Sequence, residues 1–530
     1  MIDQARMAAR FAWSLSGFLR RPSLDVASAE AQLTDQLANR EGSFLRVAER
    51  GIFGNPRSPY LPLLSRAGLG YPDLAALVRR DGLDAALATL HGAGVHVTLD
   101  EFKGRRPICR PGLEHACRAG DFDNPLLARH YETRTGGSRG AGARLVIDLD
   151  LIAHEACHEL VFRHGAGASG RPGAMWRPAP PGSAGLSNAL RMARLGEPPS
   201  RWFSPQPVTF RGGRGRQALF TYLAVIESRL VGCPIPLPEH VPLGRAEVVA
   251  RWAAGCRAAG QPAFIDTNAA SGVRVCLAAL AHGLDIRGTL FRLGSEPFTP
   301  AKAEVVARAG CRAFVHYAIA EAGRVGVACT APAFVDETHV AADKVAVVQR
   351  PVAVGTDEVL AFFVTSLLPS APRIMLNVEV GDYGVLEQRR CGCPFDRLGF
   401  AWHLHTVRSY EKLTSEGMHF VGSELMDLVE RVLPGRFGGA PTDYQLVEEE
   451  TGGLPRVSLL ISPRVGPLDE RLVVETVLDR LASGPHAAAA RMMVDQWRQG
   501  GTLRVARREP HATAAGKVLS LHVVRSGGSR

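Results

Sequence analysis

The stretch from residue 262 to residue 317 alternates short apolar segments with helical ones, and this alternation limits the possible folds more than any other feature. Residues 262–267, 289–293 and 313–317 have the composition of buried strands, whereas residues 272–283 and 300–310 have that of helices. A helix between two strands returns the chain to the starting edge of the sheet, so that the strands run parallel. The stretch therefore predicts an α/β protein with a parallel sheet.

Three other parts of the chain have patterns of their own. Residues 1–130 are predicted to be mainly helical, and residues 328–384 mainly β. The last part, residues 409–530, has the order β-α-β-β-α-β, which predicts a small α+β domain with its own core. We therefore expect a large N-terminal α/β domain over residues 1–408, with parallel or mixed sheets and helices, followed by this small domain. Residues 165–215 are rich in Pro, Gly and Arg and match no element.

The charge and the cysteines narrow the classes of partner and compartment. The formal net charge is +10, and only five of the 62 basic residues are lysines. The arginines are scattered without interleaved aromatic residues, so we expect no nucleic-acid partner. The sequence has no apolar run of about 18 residues and no basic-then-apolar N-terminus, so we expect a cytoplasmic protein with no membrane partner. The ten cysteines are then no disulfide framework.

The scarcity of lysine is itself a weak pointer to chemistry. Where the composition favours arginine so strongly, a lysine that remains can be one that the chemistry requires. The five lysines are Lys103, Lys302, Lys344, Lys412 and Lys517.

Six short segments carry groups that suit a nucleotide, although each alone is also compatible with an ordinary loop or strand end. A glycine-rich segment lets the backbone turn around phosphate oxygens, to which hydroxyl and N–H groups donate. An aromatic residue at the end of a parallel strand can stack on a base, and a carboxylate there can hold Mg²⁺. The residues concerned are Thr135, Gly136, Gly137, Ser138, Arg139 and Gly140; Ser295, Glu296 and Pro297; Tyr317 and Glu321; Asp382; Arg408; and Lys517.

The order and spacing of these segments resemble the adenylate-forming superfamily, and most closely its phenylacetate-CoA ligase branch. The resemblance extends from about residue 60 to residue 525. It implies that residues 135–140 form the phosphate loop that binds ATP. It also implies that residues 295–297 lie along the adenine and that Tyr317 stacks on it.

The same resemblance implies roles for four further residues. Glu321 would lie near Mg²⁺, and Asp382, expected in a turn at the end of a strand, would bind the ribose. Arg408 matches the arginine that opens the hinge before a small mobile C-terminal domain. Lys517 matches the lysine of that domain, whose ammonium would bridge the carboxylate and the α-phosphate.

The resemblance implies an ATP-dependent ligase that converts a carboxylic acid to an acyl-adenylate and then passes the acyl group to the thiol of CoA. Arg139 and Ala320 each replace a threonine, and Ala320 removes a hydroxyl contact to the adenylate phosphate. Tyr410 replaces the hinge aspartate on which the domain rotation depends, so adenylation is better supported than thioester formation. One alternative is that the acyl group passes to an amine or to a carrier-protein thiol. The other is that the chain is a non-catalytic homologue that binds a nucleotide. The small residues at 268–271 leave room for an acyl group and favour an aromatic or medium-chain acid. Because dimers are common among the relatives, a homodimer is a further expectation.

One cysteine pair predicts a structural metal site. Cys391 and Cys393 have the spacing of a zinc-binding thiolate pair, but zinc needs two more ligands. Relatives in the phenylacetate-CoA ligase branch often carry a cysteine and a histidine upstream, which Cys329 and His339 match. The resemblance therefore implies a closed Zn²⁺ site with three thiolates and one imidazole. The alternative is a set of ordinary buried thiols and an unrelated histidine.

A second pattern points to a different class of enzyme. His154, Glu155 and His158 fit the His-Glu-x-x-His motif of zinc metallopeptidases, in which both imidazoles share one helix face. No convincing third ligand follows, although His164 is a candidate. The pattern also falls directly after the predicted phosphate loop, where the resemblance implies an ordinary helix. We therefore expect a helix with one polar face and keep the metallopeptidase as the weaker alternative.

Overall fold

The fold is described from a computed structural model of the chain. The described residues are 2–128, 130–134, 144–179, 183–207, 215–354, 357–410, 412–413, 420–421, 428–439, 443–452, 454–482, 487–511 and 521–523. The helices among them are α1 (Ile2–Arg20), α2 (Val26–Ala38), α3 (Arg40–Val47), α4 (Tyr60–Arg66), α5 (Tyr71–Asp81), α6 (Leu83–Gly92), α7 (Leu99–Phe102), α8 (Leu149–Ala166), α9 (Ser183–Arg194), α10 (Gly215–Leu230), α11 (Ala246–Ala258), α12 (Ala269–Ala281), α13 (Pro300–Arg308), α14 (Pro394–Arg397), α15 (Leu433–Phe437), α16 (Glu470–Ala482) and α17 (Ala487–Gly500).

The strands of the described residues form six separate sheets, three of them small two-stranded ones. The strands are β1 (Ile108–Arg110), β2 (Leu113–His115), β3 (Tyr131–Arg134), β4 (Arg144–Ile147), β5 (Gly173–Trp176), β6 (Arg201–Ser204), β7 (Pro238–His240), β8 (Phe264–Asn268), β9 (Leu290–Gly294), β10 (Arg312–Val315), β11 (Tyr317–Ile319), β12 (Gly323–Ala328), β13 (Thr338–Val340), β14 (Val345–Val354), β15 (Asp357–Ser366), β16 (Val378–Gln388), β17 (Trp402–Ser409), β18 (Lys412–Leu413), β19 (Phe420–Val421), β20 (Tyr444–Thr451), β21 (Leu454–Ile461), β22 (Leu503–Ala506) and β23 (Leu521–Val523).

The alternating stretch of the sequence forms the predicted parallel sheet. Its six strands lie in the order β10-β9-β8-β5-β6-β7, and every neighbouring pair is parallel. Residues 165–215, which the sequence pattern could not place, supply β5 and β6 in the middle of this sheet. All six strands present their carboxyl ends at one edge, where ligands of open α/β sheets bind.

A second sheet is joined to the first at a single residue. It has seven strands in the order β11-β12-β13-β17-β16-β15-β14, and its pairs are antiparallel. Only His316 separates β10 of the parallel sheet from β11 of the antiparallel one. Tyr317 is therefore fixed at the junction of the two sheets.

The C-terminal part has a four-stranded sheet in the order β22-β21-β20-β23. Helices α16 and α17 pack with it around an apolar core that includes Tyr444, Leu459, Val477 and Trp497. The observed architecture confirms the predicted fold class, an α/β protein with parallel and mixed sheets together with a small α+β unit. Among the described residues, no helix is long and apolar enough to cross a membrane.

One local prediction was wrong. Asp382 was expected in a turn at the end of a strand, but it lies inside the long strand β16, beside an irregularity in the pairing with β17. The segment expected to be a helix with one polar face forms helix α8. Its polar residues, including His158 and Glu159, are buried. Cationic side chains from four other parts of the chain reach its two glutamates, and Asp343 contacts its two buried histidines.

The first of these buried carboxylates, Glu155, is surrounded by donors. It accepts hydrogen bonds from Lys344 at 2.6 Å, from Arg191 at 2.5 Å and from the backbone N–H of Arg324 at 2.8 Å. Burial alone would raise the pKa of Glu155, but the charges of Lys344 and Arg191 hold it well below its usual range. The carboxylate therefore stays ionised inside the protein.

One helical turn later, Glu159 connects the two large sheets. It accepts from Arg324 of β12 at 2.7 Å and from Arg292 of β9. Arg292 also contacts Asp266 of β8 at 2.5 Å. The side chains of Glu159 and Asp266 have no exposed surface, so each charge is stabilised by its partners rather than by water.

Removing the Glu159 charge should therefore destabilise the fold strongly. Glu159→Gln leaves Arg292 and Arg324 without their shared counter-ion, and the expected loss in the free energy of unfolding is about 3–5 kcal/mol. Urea denaturation measures it. The matched control is Glu475→Gln, because Glu475 forms an exposed pair with Arg498 at 2.9 Å, a contact worth at most about 1 kcal/mol. Equal losses in the two variants would contradict the account.

Candidate functional site

Polar residues line the carboxyl ends of neighbouring parallel strands. Asn268 ends β8, and Ser295 directly follows β9, with an exposed side chain and a left-handed backbone conformation at φ 71°. Glu296 turns back toward the sheet, where its Oε1 accepts from the N–H of Ala270 at 2.7 Å at the start of α12. The predicted adenine segment therefore lies at the ligand-binding edge.

Arg177, which the sequence analysis did not single out, ties these strand ends together. It follows β5 and is buried. Its guanidinium donates to Asn268 Oδ1 at 2.5 Å, to Ser295 Oγ at 3.0 Å and to Asp266 Oδ1 at 2.8 Å. The short apolar run Gly173–Trp176 directly before Arg177 could have indicated a strand end here. Four residues are too few to predict a strand from the sequence alone, and the assignment rests on the pairing with β8.

Tyr317 and Asp382 meet across the antiparallel sheet. The Tyr317 hydroxyl donates to Asp382 Oδ2 at 2.8 Å. Burial and the neighbouring Asp382 charge raise the pKa of Tyr317 well above its usual value, so the hydroxyl stays protonated and acts as a donor. The hydrogen bond fixes the orientation of the Asp382 carboxylate.

Glu321 lies in the turn after β11, four residues beyond Tyr317. The Lys103 ammonium contacts its Oε1 at 2.5 Å, and the N–H of Arg373 donates to its carbonyl oxygen at 3.1 Å. Burial alone would raise the pKa of Glu321, but the charges of Lys103 and Arg373 lower it to about 2. The carboxylate is ionised at any physiological pH.

Of the remaining residues predicted to bind the nucleotide, Arg408 and Pro297 are among the described residues and the others are not. Arg408 lies near the end of β17, where its Nη1 contacts Asp336 Oδ2 at 3.2 Å. The Pro297 carbonyl accepts from the Lys302 ammonium at 2.7 Å. Residues 135–140 and Lys517 lie outside the described residues, so their predicted roles stay predictions.

The four predicted zinc ligands converge on one point. The ligand atoms of Cys329, His339, Cys391 and Cys393 all lie within 4.8 Å of one another. His339 Nε2 is 3.0 Å from Cys393 Sγ and 3.5 Å from Cys391 Sγ, and the sulfurs of Cys329 and Cys391 are 3.7 Å apart. Three thiols and one imidazole in a closed cluster are the donor set of a structural zinc site.

The surroundings of this cluster orient its ligands. His339 Nδ1 lies 2.7 Å from the Phe400 carbonyl and donates to it, which leaves the Nε2 lone pair directed at the sulfurs. Asp396 accepts from the backbone N–H groups of Cys391 and Gly392 at 3.1 Å and 2.8 Å and shapes the turn between the two cysteines. A hydrogen bond from the Cys329 thiol is the largest of the causes that lower the pKa of Cys393 to about 3.

The structure brings the two histidines of the His-Glu-x-x-His pattern together with Asp343, a set that could hold a metal ion, but the cluster is buried and closed. His154 Nε2 and His158 Nε2 lie 2.6 Å and 3.0 Å from the two oxygens of Asp343, distances typical of hydrogen bonds. Glu155, which would be the base, is held by Lys344 and Arg191. A catalytic zinc needs an open position for water, and all these side chains are buried. The structure thus favours a structural role for the motif.

Comparison with solved structures relates the architecture to a known fold. A 2-hydroxyisobutyryl-CoA ligase, in complex with 2-HIB-AMP and CoA in the thioesterification state, is 13% identical, with a TM-score of 0.56 over 96% of this chain and 92% of that chain. The same ligase in the postadenylation state with 2-HIB-AMP is 12% identical, with a TM-score of 0.47 over 92% and 89%. A double mutant of o-succinylbenzoate CoA synthetase from Bacillus subtilis is 13% identical, with a TM-score of 0.37 over 74% and 69%.

The comparisons by sequence add no family. No protein-family model matches the chain, and no curated protein matches it. At 13% identity, the likeness to the first ligase shows a shared fold.

The cysteine cluster generates a prediction of metal content. We expect freshly purified protein to contain one zinc ion per chain, as measured by plasma mass spectrometry, and Cys391→Ser to lose it and to melt at a lower temperature. Cys233→Ser is the matched control, because Cys233 is also half-buried but lies outside the cluster. Zinc-free wild-type protein, or full zinc content in Cys391→Ser, would rule out the site.

Proposed function

We propose that the protein activates a carboxylic acid with ATP, forming an acyl-adenylate and pyrophosphate. The observation that carries this proposal is the Tyr317–Asp382 hydrogen bond, placed beside the ligand-binding edge of the parallel sheet. An aromatic ring and an oriented carboxylate at this position suit the adenine and the ribose of one adenosine. The shared fold with a ligase solved in complex with 2-HIB-AMP supports the same reaction class.

In this proposal each predicted site residue has a physical role. The Tyr317 ring stacks on the adenine, and residues 295–297 border it. Asp382 accepts from the ribose hydroxyls. The N–H and hydroxyl groups of residues 135–140 donate to the phosphates, and the Lys517 ammonium bridges the attacking carboxylate and the α-phosphate, where negative charge accumulates.

Magnesium, which the resemblance implies beside Glu321, does not fit the contacts of this carboxylate. Glu321 already receives the Lys103 ammonium at 2.5 Å, with the Arg373 main chain bound to its carbonyl. A divalent cation at the same oxygen would be repelled by that ammonium. No step of the proposed reaction is therefore assigned to a metal ion held by Glu321.

Zinc, in contrast, fits the cluster of Cys329, His339, Cys391 and Cys393. Held there, it would join β12 and β13 to the turn before α14 and would have no open coordination position for chemistry. We propose that its role is structural, since the cluster lies on the antiparallel sheet that carries Asp382 and Arg408.

For the second step we propose that the thiol of CoA accepts the acyl group. The 2-hydroxyisobutyryl-CoA ligase of the same fold was solved with CoA, which supports this choice over an amine or a carrier-protein thiol. The acid itself is proposed to be aromatic or medium-chain. The buried residues Asn268, Ala269, Ala270 and Ser271 at the start of α12 are small, and space beside them suits such an acyl group.

Isotope exchange tests the adenylation step and the role of Lys517. A suitable acid should support exchange of labelled pyrophosphate into ATP, and Lys517→Ala should slow this exchange by about 100-fold or more, because the cation at the α-phosphate is lost. Arg525→Ala is the control, since it removes one positive charge from the same end of the chain. Full exchange in Lys517→Ala would remove the assigned role.

The same assay separates the alternatives. If exchange occurs but CoA yields no thioester, the acceptor is an amine or a carrier protein. If no acid in a broad panel supports exchange, the chain is a non-catalytic homologue and the proposed function is wrong.

The adenine contact can be tested with two substitutions of one residue. Tyr317→Phe keeps the ring and removes the hydroxyl, whereas Tyr317→Ala removes both. Loss of an aromatic ring from a base costs about 1–3 kcal/mol, so Tyr317→Ala should weaken AMP binding by about tenfold or more relative to Tyr317→Phe, as measured by calorimetry. Equal AMP affinities in the two variants would contradict stacking.

A further inference from the structure

We propose that Lys103 is a phosphate-binding residue of the nucleotide site and supplies, beside Glu321, the positive charge that a protein-bound magnesium ion would otherwise supply. The inference rests on the proposed function, because it takes the ligand of this site to be ATP. Lys103 belongs to the N-terminal helical part of the chain and lies outside all six of the predicted nucleotide-binding segments.

The position of Lys103 is fixed by the helix before it. Helix α7 begins at a capping box in which Thr98 and Glu101 bond each other's backbone N–H groups at 2.8 Å and 3.4 Å. The N–H of Leu99 donates to Glu379 Oε2 of β16 at 3.2 Å. The strand that carries Asp382 therefore holds the short helix, and Lys103 follows it directly.

Glu101, the nearest carboxylate in the sequence, does not hold Lys103. It is paired with Arg110 at 2.7 Å. The ammonium of Lys103 instead crosses to Glu321, 218 residues away in the chain. Other contacts position Lys103 and Glu321 independently, so their 2.5 Å ion pair follows from the fold.

The ammonium still has donors to offer. A lysine has three N–H donors, and in the part of the chain that the structure describes, only Glu321 accepts from Lys103. The side chain of Lys103 is 27% exposed, against 10% for Glu321. The lysine side of this ion pair is therefore the more open to solvent, and a phosphate could reach its free N–H donors there.

The charges around Glu321 leave little attraction for a second cation there. Lys103 neutralises the carboxylate, and Arg373, whose guanidinium lies over the Phe102 ring at 5.2 Å, adds a further positive charge. Arg373 also reaches Asp123 at 3.3 Å. An anion is attracted to the exposed side of such a cluster, whereas Mg²⁺ is repelled by the positive charges of Lys103 and Arg373.

The proposal predicts an unusual dependence on magnesium, which calorimetric titration of the full chain measures. Wild-type protein should bind ATP with affinities in Mg²⁺ and in EDTA that agree within about threefold. Lys103→Gln should weaken binding of ATP and of pyrophosphate in EDTA by about tenfold or more, and AMP binding by less than about twofold. Because Glu321 is then unpaired, Mg²⁺ should tighten ATP binding to Lys103→Gln.

Two further variants separate a phosphate contact from a structural one. Lys103→Gln combined with Glu321→Gln leaves no unpaired buried charge, and it should lose ATP affinity without gaining a magnesium dependence. Arg105→Gln removes the same charge two residues away, where Arg105 pairs with Asp100 at 2.8 Å, and it should leave ATP affinity unchanged.

The results that overturn the inference differ from those that overturn the proposed function. If wild-type ATP binding requires Mg²⁺ and neither Lys103 variant changes it, Lys103 does not contact phosphate, although adenylation still stands. If the Lys103 variants weaken AMP and ATP equally, the role is structural and the inference is wrong. If wild-type protein binds neither ATP nor pyrophosphate in either condition, the proposed function fails together with the inference.

Discussion

The contact of Glu159 with Arg292 and Arg324 holds the two large sheets together, and the rest of the structure depends on it. Arg292 belongs to the parallel sheet and Arg324 to the antiparallel one, so one carboxylate on α8 connects both. All three groups are buried, and a buried charge without partners is strongly unfavourable. The sheets can therefore pack against α8 only in the arrangement that brings these charges together.

The candidate site is set by the same helix from two directions. From Glu159 the ion pairs continue through Arg292 and Asp266 to Arg177, which holds the strand ends at Asn268 and Ser295. On the other side, Glu155 accepts the N–H of Arg324 and so fixes the hairpin that carries Tyr317 and Glu321. A substitution on α8 would thus disturb both walls of the proposed adenosine site without touching the nucleotide.

The sequence was most informative where a local pattern decides the structure. Strands β8, β9 and β10 are apolar and separated by helices, so the alternation of strands and helices alone predicted the parallel sheet. The cysteines and His339 were found through a family resemblance, and the structure brings their ligand atoms together. The partners of Glu321 and Glu155 could not be found in this way. Lys103 and Lys344 lie far from them in the chain, and no local spacing encodes such pairs.

The few lysines of this arginine-rich chain make specific contacts. Each described lysine whose ammonium contacts are known has a specific acceptor: Glu321 for Lys103, the Pro297 carbonyl for Lys302 and Glu155 for Lys344. The Lys302 ammonium also lies 4.0 Å from Glu296 Oε2. A compact ammonium on a flexible stem fits such buried contacts better than the planar fork of arginine. The scarce lysines therefore mark positions where the shape of the cation matters, two of them beside the proposed nucleotide.

The fate of the carboxylate oxygens tests the central claim most directly. An acid that the protein activates, labelled with ¹⁸O in both carboxylate oxygens, would be turned over with ATP and the acceptor, and the AMP analysed by mass spectrometry. Attack of the carboxylate on the α-phosphate predicts AMP that carries one ¹⁸O atom, because the bond between that oxygen and phosphorus persists when the acyl group leaves. Unlabelled AMP, or label found in inorganic phosphate beside ADP, would contradict the account.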